Sequence, residues 1–187
     1  FTKSDLVETL GIPEEKISVV YSGINSSFRP LLPADSSLIE WRKKRGLTFP
    51  YLLSLGTLEP RKNLIAAIRA FNLISTKPSF HDLRFVIAGR PGWLYHDILR
   101  EARTSPAHNR IIFLGPIQHN ERILLYNGAE AFLYPSFFEG FGFPSLEAQA
   151  CGTPVIASDR TSLPEILGSS ALLIDPWRIA DLADAIE

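Results

Sequence analysis

Two glutamates stand eight positions apart in the run E-G-F-G-F-P-S-L-E, from Glu139 to Glu147. The run follows a short apolar segment, A-F-L-Y-P, and opens a helical pattern, P-S-L-E-A-Q-A-C-G. Gly140 and Gly142 let the backbone come close to a ligand. Pro144 suits the first position of a helix, where free N–H groups make an anion site. Main-chain donors flanked by two carboxylates suit a ligand with phosphate in its middle and a hydroxyl-rich ring at each end. A nucleotide sugar fits that description.

Each of these residues also has a commonplace reading. Glu139 as a solvated loop charge fits poorly with the apolar loop around it, so a role in accepting sugar hydroxyls is favoured. Glu147 near a helix start would satisfy the helix dipole without any ligand; paired with Glu139, it reads better as a grip on two ribose hydroxyls. Arg61 and Lys62 precede a helical pattern, where cations oppose the dipole, so another partner is needed to explain them. A diphosphate would be that partner, with Lys62 as a point charge and Arg61 as a fork.

The elements around these residues alternate. Apolar strand patterns run over 51–55, 83–88, 110–114, 131–134, 154–157 and 171–174, with helical patterns at 63–75, 95–103, 121–126, 144–150 and 163–167 and another from Ile179. Continuously apolar strands alternating with helices predict an α/β, Rossmann-like, doubly wound parallel sheet covered on both faces. Ligands in such sheets bind beyond the carboxyl ends of the strands. The turns to watch are therefore 56–63, 89–93, 115–120, 135–143 and 158–162. Upstream, T-K-S-D-L-V-E-T-L reads as a helix stopped by Gly11 and Pro13, K-I-S-V-V-Y as a strand, and S-L-I-E-W-R-K-K-R as a helix ending at Gly46.

With 19 basic and 20 acidic residues among 187, the net charge of −1 argues against a non-specific nucleic-acid binder. A single cysteine, Cys151, excludes an internal disulfide framework and fits a reducing, cytoplasmic setting. The four histidines show no metal-ligand spacing, and no D-x-D motif occurs, so no metal or other cofactor is expected. No G-x-G-x-x-G follows the first strand, no P-loop occurs and no G-x-S-x-G elbow is present. The chain lacks methionine and stops inside the helical pattern I-A-D-L-A-D-A-I-E, so it is expected to be a piece of a longer polypeptide.

The ordered set G-T-L-E-P-R-K-N, I-A-G-R-P-G, I-I-F-L-G-P-I, the doubled glutamate run, A-C-G-T-P-V-I-A-S, S-L-P-E-I-L-G and A-L-L-I-D-P resembles the C-terminal domain of family-four (group 1) retaining glycosyltransferases. The flavour is similar to bacterial polysaccharide and lipopolysaccharide mannosyltransferases. The resemblance implies the C-terminal, donor-binding half of a two-domain GT-B enzyme. On that basis residues 50–187 form the nucleotide-sugar-binding domain, and residues 1–49 are a remnant of the N-terminal domain plus the connector V-V-Y-S-G-I-N-S-S-F-R-P.

By the same resemblance, Glu147 would hold the ribose, Glu139 the donor sugar, and Lys62 with Arg61 the diphosphate. The amides of Phe141, Gly142 and Phe143, with the helix start at Ser145 and Leu146, would bind sugar hydroxyls and phosphate. Ile117 would lie beside the base, and Gly89 and Arg90 would border the pocket. The chain departs from many members at Thr57, where they carry an arginine. The implied reaction is transfer of a sugar from a nucleoside diphosphate sugar to an acceptor hydroxyl with retention. A glycan or lipid-linked acceptor would bind the missing N-terminal domain, which leaves room for peripheral membrane association of the full-length enzyme and makes this piece inactive alone. The alternatives are a GT-B epimerase or phosphorylase, or a non-catalytic nucleotide-sugar-binding module.

Overall fold

The computed structural model describes residues 1–187. Six strands form one sheet: β1 (Tyr51–Leu55), β2 (Arg84–Ala88), β3 (Ile111–Gly115), β4 (Ala131–Tyr134), β5 (Val155–Ser158) and β6 (Leu172–Ile174). Their order is β3-β2-β1-β4-β5-β6, and every neighbouring pair is parallel. The chain winds outward from β1 to β3, then crosses back to β4 on the other side of β1. That reversal opens a crevice at the carboxyl ends of β1 and β4, the point where such folds bind ligands. The β1–β4 ladder is also the shortest, pairing only Leu52 with Ala131 and Leu53 with Phe132.

The helices of the sheet domain are α3 (Leu64–Ser75), α4 (Tyr95–Thr104), α5 (His119–Asn127), α6 (Phe143–Ala150), α7 (Leu163–Leu167) and α8 (Ile179–Ile186). Side chains alternate across each strand, which divides the interior into two cores. Leu52, Phe85, Ile87, Leu133 and Ile156 face one core with Phe71 and Ile74 of α3, Ile98 of α4 and Leu182 of α8. Tyr51, Leu53, Val86, Phe132 and Val155 face the other with Leu125 and Tyr126 of α5 and Ala148 of α6. Both faces are dry, which is why the strands carry no polar alternation.

Residues ahead of β1 take part in this packing. Helix α2 (Ser36–Arg45) is capped by Asp35, whose carboxylate accepts from the amides of Ser37 at 2.9 Å and Leu38 at 3.3 Å, and it ends at Gly46 with φ 69°. Phe28, Trp41 and Leu47 are buried in the second core. Helix α1 (Thr2–Leu10) ends at Gly11 with φ 63° and buries no residue.

The segment 17–21 corrects the sequence reading: it forms no strand. Its β-branched composition favours extended chain, but both sheet edges, β3 and β6, lie elsewhere and it has no ladder to join. It is anchored instead by Tyr21, whose hydroxyl donates to Glu165 Oε1 at 2.5 Å. No helix is long and apolar enough to cross a membrane.

Candidate active site

The turn after β1 sets the first half of the site. Pro60–Lys62 makes a single 3-10 turn, and Asn63 follows with φ 52°, a left-handed conformation that asparagine tolerates. Asn63 Nδ2 fastens this bend to the carbonyl of Pro176 at 2.8 Å. The bend folds Lys62 back over Gly56, so its ammonium hangs above the end of β1. Lys62 Nζ donates to Glu139 Oε1 at 2.6 Å and to the Tyr134 hydroxyl at 2.8 Å. Arg61 donates to Glu59 Oε1 at 2.6 Å and to the carbonyl of Phe138 at 2.6 Å, and its Nη1 lies 3.0 Å from Glu139 Oε2.

Glu139 is thus held by two cations at 6 % exposure. Burial pushes its carboxyl upward, but Lys62 and Arg61 outweigh that and hold it below the ordinary value. Burial likewise draws the Lys62 ammonium below its ordinary value, against the pull of Glu139. Tyr134 sits at the end of β4 with its hydroxyl pushed far above the tyrosine range, first by burial and then by Glu139, so it stays neutral.

Between the two glutamates the chain turns into α6. Gly142, with φ 96°, is the residue before the helix, and a Cβ there would lie 2.6 Å from Leu163 Cδ2. Ser145 and Leu146 direct their amides to the carbonyl of Gly142 at 3.1 and 3.5 Å, and the Ser145 hydroxyl reaches the same carbonyl at 2.6 Å. The amides of Phe141, Gly142 and Phe143 have no acceptor within the protein. They are the main-chain donors this turn offers to an anion.

Glu147, 7 % exposed, lies on the buried side of α6. Its Oε2 accepts from the Tyr126 hydroxyl at 2.9 Å and from Arg122 Nη2. Both donors come from α5, spaced i and i+4 on one face. The arginine is fixed in turn by lying over the ring of Phe28. Oε1 of Glu147 has no donor within the protein.

The remaining expected residues sit around this centre. Gly89 follows β2 and faces the carbonyl of Gly56 so closely that a Cβ would lie 1.7 Å from it. Arg90 is exposed, with its carbonyl accepting from the amide of Leu58 at 2.9 Å. Ile117 lies in the β3–α5 turn, partly buried against the second core. Thr57 borders a small cavity with Lys62 and Tyr134. Sequence reasoning missed Tyr134, Arg122, Tyr126 and Glu59. The i, i+4 pairing of Arg122 with Tyr126 was the available signal for two of them.

With this geometry in view, comparison with known proteins is informative. Residues 37–187 match the profile of "Glycosyl transferases group 1". This chain belongs to that family. Over 94 % of its length it is 33 % identical to the O-antigen chain mannosyltransferase B of Escherichia coli, of which it covers 46 %. Over 98 % of its length it is 30 % identical to the O-antigen chain mannosyltransferase RfbU of Salmonella typhimurium, of which it covers 50 %. The group 1 chain therefore spans about half the length of these relatives. Among solved structures, Anabaena Alr3699/HepE in complex with UDP and glucose superposes with a TM-score of 0.84 at 21 % identity, covering 99 % of this chain and 50 % of that one. The fold is thus the Rossmann-like half of a GT-B glycosyltransferase.

Proposed function

We propose that this chain is the donor-binding domain of a retaining glycosyltransferase that moves a sugar, mannose by preference, from a nucleoside diphosphate sugar to an acceptor hydroxyl in glycan or lipopolysaccharide biosynthesis. The observation that carries the reading is the meeting of Lys62, Arg61 and Glu139 beside the free amides of 141–143 at the β1–β4 crevice. The names of the O-antigen relatives support mannose and the polysaccharide pathway.

Each residue then has a task. An ammonium carries three donors, and Lys62 places two on Glu139 and Tyr134, leaving one for a phosphate oxygen. Arg61 and the free amides supply further donors to the diphosphate. Negative charge grows on that group as the glycosidic bond breaks, and these fixed donors stabilise it without reorganising. Glu139 accepts from hydroxyls of the donor sugar, and Oε1 of Glu147 accepts from the ribose. The leaving phosphate takes the proton of the acceptor hydroxyl, so no protein base is needed. The acceptor belongs to a partner domain outside this chain, and the chain alone does not turn over.

A thermal-shift screen with GDP, UDP, ADP and their sugars tests the reading, since a ligand bound only by the folded state raises its melting temperature. One base is expected to stand out. A flat response to all three would remove the donor-site assignment. A radiolabelled-donor assay beside the longer enzyme tests the division of labour, which robust turnover by this chain alone would refute.

A further inference from the structure

Thr161 has φ 55°, a left-handed conformation that a β-branched residue rarely adopts. Strain of this kind persists only where the surroundings enforce it, and it concentrates at working sites. The residue lies in the turn between β5 and α7, and that turn touches the donor loop at three successive positions. Thr161 Oγ1 accepts from the amide of Glu139 at 3.0 Å. The buried Ser162 hydroxyl donates to the carbonyl of Glu139 at 2.8 Å. Leu163 closes against Gly142. The peptide groups on both sides of Glu139 are therefore fastened by consecutive hydroxyls. Their simultaneous reach is what the left-handed turn at 161 permits.

We propose that Thr161 is a positioning residue for Glu139: its strained backbone and hydroxyl aim that carboxylate at the donor sugar. The inference rests on the donor-site reading above. It makes a distinction that a purely structural role does not. Glu139 serves the sugar, whereas Lys62 and Glu147 serve the diphosphate and ribose. Loosening Thr161 therefore weakens binding of the nucleotide sugar more than that of the nucleoside diphosphate, which feels Glu139 only through its ion pairs with Lys62 and Arg61.

The test measures, by calorimetry on this chain, the affinities of GDP with GDP-mannose, UDP with UDP-glucose and ADP with ADP-glucose. Thr161→Gly removes both the strain and the hydroxyl. Relief of the strain and loss of the hydroxyl's bond to the Glu139 amide are of similar size and oppose one another, so the melting temperature is expected to move by no more than about 2–4 °C. The substitution is also expected to weaken the sugar-bearing ligand about tenfold, the loss of roughly one charge-assisted contact, with a smaller effect on the diphosphate. Thr161→Ser, which keeps the hydroxyl, retains the ratio of the two affinities. A folded glycine variant that keeps that ratio would overturn the role of Thr161 alone. Failure of the unmodified chain to bind any of the six ligands would sink the donor-site reading, and this proposal with it.

Discussion

Lys62 Nζ lies 2.6 Å from Glu139 Oε1 although 77 positions separate them in the chain. Both groups are largely withdrawn from water, with side-chain exposures of 11 % and 8 %. Such a pair gives little net stability against an apolar replacement, but breaking it by removing one partner leaves a buried charge uncompensated.

Lys62→Met is therefore expected to destabilise the fold by about 3 kcal/mol, at the lower end for a broken buried pair because Arg61 still faces Glu139. Adding Glu139→Gln to that variant should recover much of the loss. Urea unfolding of the two single variants and the double variant measures this coupling. Additive losses would mean that the two groups act independently.

Acid titration offers a second check. The folded Glu139 carboxyl lies below its ordinary value of 4.5, so the folded state binds fewer protons there than the unfolded state. Its contribution is complete above about pH 4.5 and fades as the pH falls through the lower folded value. Glu139→Gln starts less stable but should lose less between pH 5 and pH 3 than the unmodified protein. Parallel melting curves for the two over that range would contradict the assignment.

Glu147 presents one free carboxylate oxygen, with Arg122 and Tyr126 fixing the other. Charge-assisted hydrogen bonds of this kind contribute about 1.5–3 kcal/mol each. The unmodified chain should prefer a nucleoside diphosphate over its 2′-deoxy form by about tenfold, and Glu147→Ala, which removes the acceptor, should erase that preference. Discrimination that survives the substitution would place the ribose contact elsewhere.

Gly89 admits no side chain, since a Cβ would lie 1.7 Å from the backbone oxygen of Gly56 and the φ of 145° is itself unfavourable for other residues. Backbone, unlike a flexible side chain, has no easy way to move aside. Gly89→Ala should cost about 3 kcal/mol or more, from overpacking together with backbone strain. A urea midpoint within error of the unmodified protein would show that β1 and β2 can part at this point.

The layered fold was open to sequence reading because the strands are largely apolar on both faces and most of the turns between them carry glycine or proline. The boundaries of β1, β4 and α7 agree to the residue, β2 and β6 begin one position later than expected, and β3 and β5 are displaced by one position as a whole. The segment 17–21 misled because β-branched composition reports a preference for extended chain and carries no information about a partner edge. The doubled glutamates were visible as a motif, but their protein partners were not. Arg122 meets Glu147 only through the packing of α5 on α6, and Tyr134 looked like one more apolar strand residue. Nothing in the letters T-S-L announces that Thr161 adopts a left-handed turn, because its partner Glu139 is 22 positions away in the chain.

The seam between β1 and β4 is stitched by only two residue pairs, and the cationic turn and the acidic loop stand on opposite sides of it. On the donor-site reading, a diphosphate gripped from both banks would brace this central seam. Donor occupancy should therefore slow amide exchange most in the two turns that follow β1 and β4, where the ligand would be held.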